Sequence, residues 1–140
     1  MSDKACCQAD GPAGAAAEIA RVPSCPPEEL FQAFADRTRL RILNLLLRKE
    51  TCVGDVTTIL AIPQPRVSQH LACLRKAGFV SVRRVGPWCF YSLAPPRSSI
   101  AARMLDCLRE CVQDDPILLA DQQRAVLLER AGGCCSAEAP

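Results

Sequence analysis

Ten cysteines, at positions 6, 7, 25, 52, 73, 89, 107, 111, 134 and 135, carry most of the chemistry this chain can offer. In 140 residues they exceed what core packing needs. Thiols pair as disulfides, ligate soft metals and metalloids as thiolates, or attack as nucleophiles. Their spacing sorts them. Cys6-Cys7 and Cys134-Cys135 are vicinal pairs, and Cys107 and Cys111 are four residues apart, which on a helix is one face. The N-terminus, Met1-Ser2-Asp3-Lys4-Ala5-Cys6-Cys7, shows no apolar export signal. Free thiols in the reducing cytoplasm are therefore expected rather than a secreted disulfide framework.

The elements that must hold these residues follow from composition and periodicity. Residues 1–27 are rich in Ala, Gly and Pro and end Pro23-Ser24-Cys25-Pro26-Pro27, which reads as a flexible arm bearing the first cysteine pair. From Glu28 the apolar residues fall into helical spacing, Leu30, Phe31 and Phe34, then Leu40, Leu43 and Leu47, with a break near Asp36. Val53 to Leu60 predicts a short third helix. Pro63-Gln64-Pro65 stops it, and Pro65 to Ala77 predicts a fourth, with Val67, Leu71 and Leu74 as its apolar stripe and Gly78 at its end. Alternation at Val80, Val82 and Val85, a Gly86-Pro87 turn and the run Cys89 to Leu93 predict a hairpin. Helices over Ser98 to Val112 and Ile117 to Ala131 complete a three-part division: arm 1–27, main domain 28–115, and a C-terminal helix with a cysteine-bearing tail, 116–140. No run approaches the ~18–20 apolar residues of a membrane helix.

Two short helices joined by a tight turn and followed by a basic hairpin are the parts of a winged helix-turn-helix, a mainly α (α+β) fold that reads DNA. The formal charge of +2 does not suggest a nucleic-acid partner, but its distribution does. Between Asp55 and Asp106 there is no acidic residue, while Arg66, Arg75, Lys76, Arg83, Arg84, Arg97 and Arg103 lie inside, a block of +7. The other ten basic residues against fifteen acidic ones leave −5 elsewhere. A stretch cleared of carboxylates suits phosphate neutralisation, which dominates DNA affinity. Off the apolar stripe of the fourth helix stand Arg66, Ser68, Gln69 and His70, with Arg75 near its end. Gln69 can grip adenine bidentately, Ser68 and Arg66 can reach bases or phosphate, and Arg83 and Arg84 of the hairpin would meet phosphate or the minor groove.

The segments Phe34-Ala35-Asp36-Arg37-Thr38-Arg39-Leu40-Arg41-Ile42-Leu43, Thr51-Cys52-Val53-Gly54-Asp55-Val56, Val67-Ser68-Gln69-His70-Leu71-Ala72-Cys73-Leu74-Arg75-Lys76-Ala77-Gly78 and Gly86-Pro87-Trp88-Cys89-Phe90-Tyr91-Ser92-Leu93 together resemble the ArsR/SmtB family, in its arsenic-responsive form. The match spans about Glu28 to Pro95, and order, spacing and wing agree. The resemblance implies a homodimeric repressor whose first and fifth helices form the dimer interface. It implies an apo protein bound to a palindromic operator and released when a metal or metalloid meets its thiolates. Two-fold symmetry matches half-sites about one helical turn apart.

The family's arsenic motif reads Cys-Val-Cys-Asp, whereas this chain has Cys52-Val53-Gly54-Asp55, so one of its two thiols is missing. The family implies three thiolates around As(III) or Sb(III), so two more sulfurs are needed beyond Cys52. Cys6 and Cys7 are the first choice, as in relatives whose N-terminal thiol pair meets the other subunit's DNA-binding helix. About twenty residues separate Cys7 from Glu28, a maximum reach of about 65 Å at ~3.3 Å per residue. Near the start of its helix, Cys52 would also place thiolate charge at the positive end of the dipole. The rivals are Cys107 with Cys111 and the tail pair Cys134-Cys135, with Cys25 in reserve; Cys73 and Cys89 read as small core residues. His70 is the only histidine, which disfavours histidine-based zinc, cadmium or nickel sites and leaves all-thiolate cadmium or lead as an alternative, beside a redox-sensing repressor. A thiol-dependent arsenic enzyme is disfavoured. No pair is spaced Cys-x-x-Cys and no cysteine has an arginine six positions on, so a non-enzyme is expected.

Overall fold

The computed structural model describes residues 25–133. In chain order they form α1 (Pro27–Phe34), α2 (Arg37–Arg48), β1 (Thr51–Cys52), α3 (Val53–Leu60), α4 (Gln64–Lys76), β2 (Val80–Val85), β3 (Trp88–Leu93), α5 (Ser99–Cys111), a 3-10 turn (Val112–Asp114) and α6 (Pro116–Arg130). The strands make an antiparallel sheet in the order β1-β3-β2, so the hairpin is widened by a two-residue strand that the sequence reading did not anticipate. The architecture is the expected winged helix-turn-helix: α3 and α4 are the paired helices, and β2 and β3 are the wing.

Each boundary has a local cause. Asp36 breaks α1 from α2 because its carboxylate accepts from the Arg39 backbone N–H at 3.0 Å and caps α2. Arg39 then reaches back and donates to the carbonyls of Ala33 (2.8 Å) and Gln32 (3.0 Å), satisfying the last turn of α1. The turn between α3 and α4 passes through Ala61 at φ 56°, ψ 43°, a left-handed conformation uncommon for a residue with a Cβ. Pro63 and Pro65 flank the start of α4, with Pro65 in its second position rather than its first. Gly78, at φ +88°, ends α4; its N–H donates to Arg75 and that of Phe79 to Leu74, both at 3.0 Å.

One core joins these pieces. Ile42, Leu43 and Leu45 of α2, Val53 and Val56 of α3, and Val67, Leu71 and Leu74 of α4 are buried together with Phe79 and Tyr91. The ring of Phe34 lies 4.9 Å from that of Phe79, fastening α1 to the base of the wing. α6 packs on α2 and α3 through Leu118 and Ala125, and polar pairs fix its register. Arg37 forks onto Asp115 (2.7 and 2.8 Å), Arg41 onto Asp121 (2.7 and 2.9 Å), and Arg48 reaches Glu129 (2.6 Å). Between them the buried Asn44 donates to the Leu118 carbonyl at 2.9 Å and accepts from Gln122 at 2.8 Å. No helix among the described residues is long and apolar enough to cross a membrane.

Candidate nucleic-acid interface and thiol centre

The apolar stripe of α4, Val67, Leu71 and Leu74, is wholly buried, which turns the opposite face outward. Arg66, Gln69, Ala72 and Lys76 are exposed on that face at three- and four-residue intervals, and Ser68 and Arg75 are half-buried beside it. Lys76, whose position along the sequence shows only its charge, belongs with this group. His70 is placed differently. Its side chain is only 17% exposed and turns back onto the start of α2, with Nδ1 3.4 Å from an Arg39 guanidinium nitrogen and 3.9 Å from the Asp36 carboxylate. Burial pushes the Asp36 carboxyl up, but the Arg39 backbone N–H and the charges of His70 and Arg39 outweigh it and hold that carboxyl below its usual range. His70 thus ties α4 to α2.

On the wing, Arg83 and Arg84 are both exposed on β2. Arg83 is engaged on two sides. It forks onto Glu50, with Nε and Nη2 donating to the two carboxylate oxygens at 3.0 and 2.7 Å, and its guanidinium lies 5.1 Å from the centre of the Phe90 ring. The fork holds the Glu50 carboxyl below its ordinary range. Glu50 lies outside the acid-free block in sequence yet folds onto the wing. No local pattern announces this, because only the pairing of β1 with β3 brings residues 50 and 83 together.

Cys52 stands where β1 becomes α3. It is 1% exposed, and its sulfur caps α3 by accepting from the Asp55 backbone N–H at 3.4 Å. Around it pack Phe90, Val85 and Trp88. Cys107 and Cys111 are exposed on successive turns of α5. Burial pushes the Cys111 thiol up from its ordinary range, and a hydrogen bond with Cys107, whose charge adds to the effect, pushes in the same direction. Cys25 donates to Glu29 at 3.2 Å at the start of α1, and burial and that hydrogen bond raise it likewise. Cys73 is half-buried on α4 as a free thiol, and Cys89 is fully buried, as expected of a core residue. Cys6, Cys7, Cys134 and Cys135 lie outside the described residues. Among the described residues no three ligating side chains converge on one point.

Between α1 and α5 runs an open groove of about 410 Å³ lined by Phe31, Ile100, Met104, Arg103, Ser99 and Cys107. Phe31 is 57% exposed there, a large apolar side chain left in water.

Residues 36–82, the α2 to β2 stretch that carries the helix-turn-helix, match the model of the bacterial regulatory protein, arsR family. The chain is 42% identical over 89 residues to the arsenical resistance operon repressor of Escherichia coli (strain K12), across 63% of this chain and 76% of that one. Among solved structures it is similar to HlyU from Vibrio cholerae N16961, with a TM-score of 0.53 and 36% identity over 59% of this chain and 87% of that one. It shares the fold of the homodimeric winged helix-turn-helix DNA-binding domain Mb0332 from Mycobacterium bovis, with a TM-score of 0.54 and 24% identity over 74% and 90% of the two chains. An outward polar face on α4, a basic wing beside it and relatives that share both sequence and fold lead to one conclusion: the chain belongs to the arsR family of bacterial transcriptional regulators.

Proposed function

We propose that the protein is a cytoplasmic repressor of metalloid resistance genes that binds a palindromic operator as a homodimer and releases it when As(III) or Sb(III) is captured by thiolates of Cys6, Cys7 and Cys52. One observation carries the reading. Cys52 is the N-cap of α3, the helix directly ahead of the recognition helix, so ligation of its sulfur removes a cap and disturbs the helix-turn-helix at its root. Cys52 supplies one sulfur where a trivalent metalloid takes three, which is why the reading draws the others from the vicinal pair Cys6-Cys7. The name of the Escherichia coli relative supports the choice of inducer.

Arg66, Ser68, Gln69, Arg75 and Arg84 make the DNA face, with Gln69 reading a base and the arginines neutralising phosphate. His70 and Arg83 border that face and act through it. The apolar groove between α1 and α5 supports dimerisation through those helices, because Phe31 and Ile100 gain from a partner's cover. The reading assigns no catalytic step. A second reading, thiol–disulfide sensing or thiolate capture of cadmium or lead at Cys107 and Cys111, is favoured by the placement of these two exposed thiols one turn apart on the same face of α5. The test is titration of the DNA complex with arsenite in excess monothiol reductant. Release under those conditions supports metalloid capture; release only on oxidation, or only on adding cadmium or lead, supports the second reading.

A further inference from the structure

Cys52, Phe90 and Arg83 occupy one row across the sheet. Cys52 of β1 pairs with Phe90 of β3, and Phe90 pairs in turn with Arg83 of β2. Residues directly opposite one another in antiparallel strands project to the same face, and at ~4.8 Å per strand the outer two are about 10 Å apart. The row is packed as well as aligned. Cys52 and Phe90 are buried together with Val85 and Trp88 against them, and the Arg83 guanidinium lies over the Phe90 ring at 5.1 Å. A second connection closes a loop, since Arg83 forks onto Glu50 at 2.7 and 3.0 Å and Glu50 is two residues ahead of Cys52. The guanidinium is therefore held by the lead-in to β1 on one side and by the aromatic face of β3 on the other.

We propose that this row is a mechanical link from the sensing thiol to the wing, in which Arg83 is a positioning residue that holds the wing at the angle DNA binding needs. The inference rests on the reading of Cys52 as an inducer ligand. A sulfur drawn to a metalloid leaves the cluster of Val85, Trp88 and Phe90; the ring beneath Arg83 shifts, and the segment carrying Glu50 moves with it. One event disturbs both supports of the guanidinium. The competing account treats Arg83 as a phosphate contact that Glu50 merely screens, and it gives the opposite sign when the fork is removed.

The experiment compares the full-length protein with Glu50→Gln, Arg83→Lys and the double variant, measuring affinity for an operator duplex recovered by in vitro selection and for a random-sequence duplex. Trp88, the chain's one tryptophan, reports on the cluster around Cys52 by its emission. The link predicts that Glu50→Gln weakens both duplexes about three- to fivefold, although it removes a negative charge; that is the range an ion pair worth up to ~1 kcal/mol supports. Arg83→Lys keeps the charge, loses the fork and weakens binding similarly, and the double variant is no weaker than either single one. Arsenite shifts Trp88 emission in all four proteins, but releases DNA by a smaller factor in the variants. Tighter binding by Glu50→Gln with a steeper salt dependence, or strictly additive losses, overturns the link. If arsenite moves neither Trp88 emission nor DNA binding in the parent protein, the inducer reading fails, and the affinities of the variants still decide whether Arg83 positions the wing.

Discussion

Asp121 is a carboxylate with no solvent exposure, clamped by Arg41 through two hydrogen bonds at 2.7 and 2.9 Å and by Arg124 through one at 2.6 Å. It lies at the centre of the contact that holds α6 on α2. Replacing it with Asn keeps the volume but turns an acceptor-only group into one that presents an NH2 to two guanidinium donors, so at least one charge-assisted hydrogen bond is lost and a donor faces a donor. Removing one partner of a fully buried pair costs ~3–5 kcal/mol. Here Arg124 is 53% exposed and Arg41 18%, so both cations regain water and the cost falls below that range, to about 2–3 kcal/mol. For a domain of this size that corresponds to a fall in Tm of roughly 8–12 °C. The assay is thermal and urea unfolding followed at Trp88, at fixed protomer concentration because the proposed dimerisation would make stability concentration-dependent. Combining Asp121→Asn with Arg41→Gln should cost less than the sum of the two singles by about 1 kcal/mol or more. A loss below about 0.5 kcal/mol for Asp121→Asn, or additivity in the double variant, refutes the claim that this pair fixes α6 on α2.

Three further outcomes are expected. Ala61→Gly relieves the left-handed backbone between α3 and α4 and should raise stability by ~0.5–1 kcal/mol, read as a higher urea midpoint with an unchanged slope. Gln69→Ala should lower discrimination between operator and random DNA, by ~1–3 kcal/mol for a lost bidentate base contact, whereas Arg66→Ala should weaken both duplexes alike and flatten the salt dependence; equal losses on the two duplexes for Gln69→Ala reject its base-reading role. Hydrogen bonds from Arg37, then from the Leu118 and Ile117 backbone, hold the Asp115 carboxyl at about 2 against an ordinary 3.8. A depressed carboxyl contributes stability that is present above its unfolded value and lost as pH falls through the folded one, so this contribution should fade between about pH 4 and pH 2 and be missing from the acid-unfolding curve of Asp115→Asn.

The parts of the fold that were legible in advance are those whose signal is local. The stripe Val56, Ile59, Leu60 and the breakers around Pro63 place α3 at Val53–Leu60, and Val67, Leu71, Leu74 with Gly78 place α4 to within a residue. β1 was not legible, because two residues carry no period and its pairing with Thr51↔Tyr91 and Cys52↔Phe90 is made across the chain. The same pairing hid the Glu50–Arg83 fork, since charge counted along the sequence cannot see an acid that folds onto a basic block. His70, counted among outward residues by its place on α4, faces α2 because Asp36 and Arg39 supply polar partners there. The attachment of α6 was equally silent: Asn44 and Asp121 are polar residues at buried positions, and the bonds through which they join α2 to α6 span 74 to 80 residues.

The central claim is that the sulfur at residue 52 is an inducer ligand, and Cys52→Ser tests it most directly. Serine is itself a favoured N-cap, so the Asp55 N–H keeps an acceptor and α3 keeps its start while the thiolate is lost. The measurement is arsenite-driven release from the operator duplex under reducing conditions, for the parent and Cys52→Ser at matched DNA affinity. The account predicts that the parent leaves the DNA and the serine protein stays; release of the serine protein at the parent's arsenite concentration contradicts it.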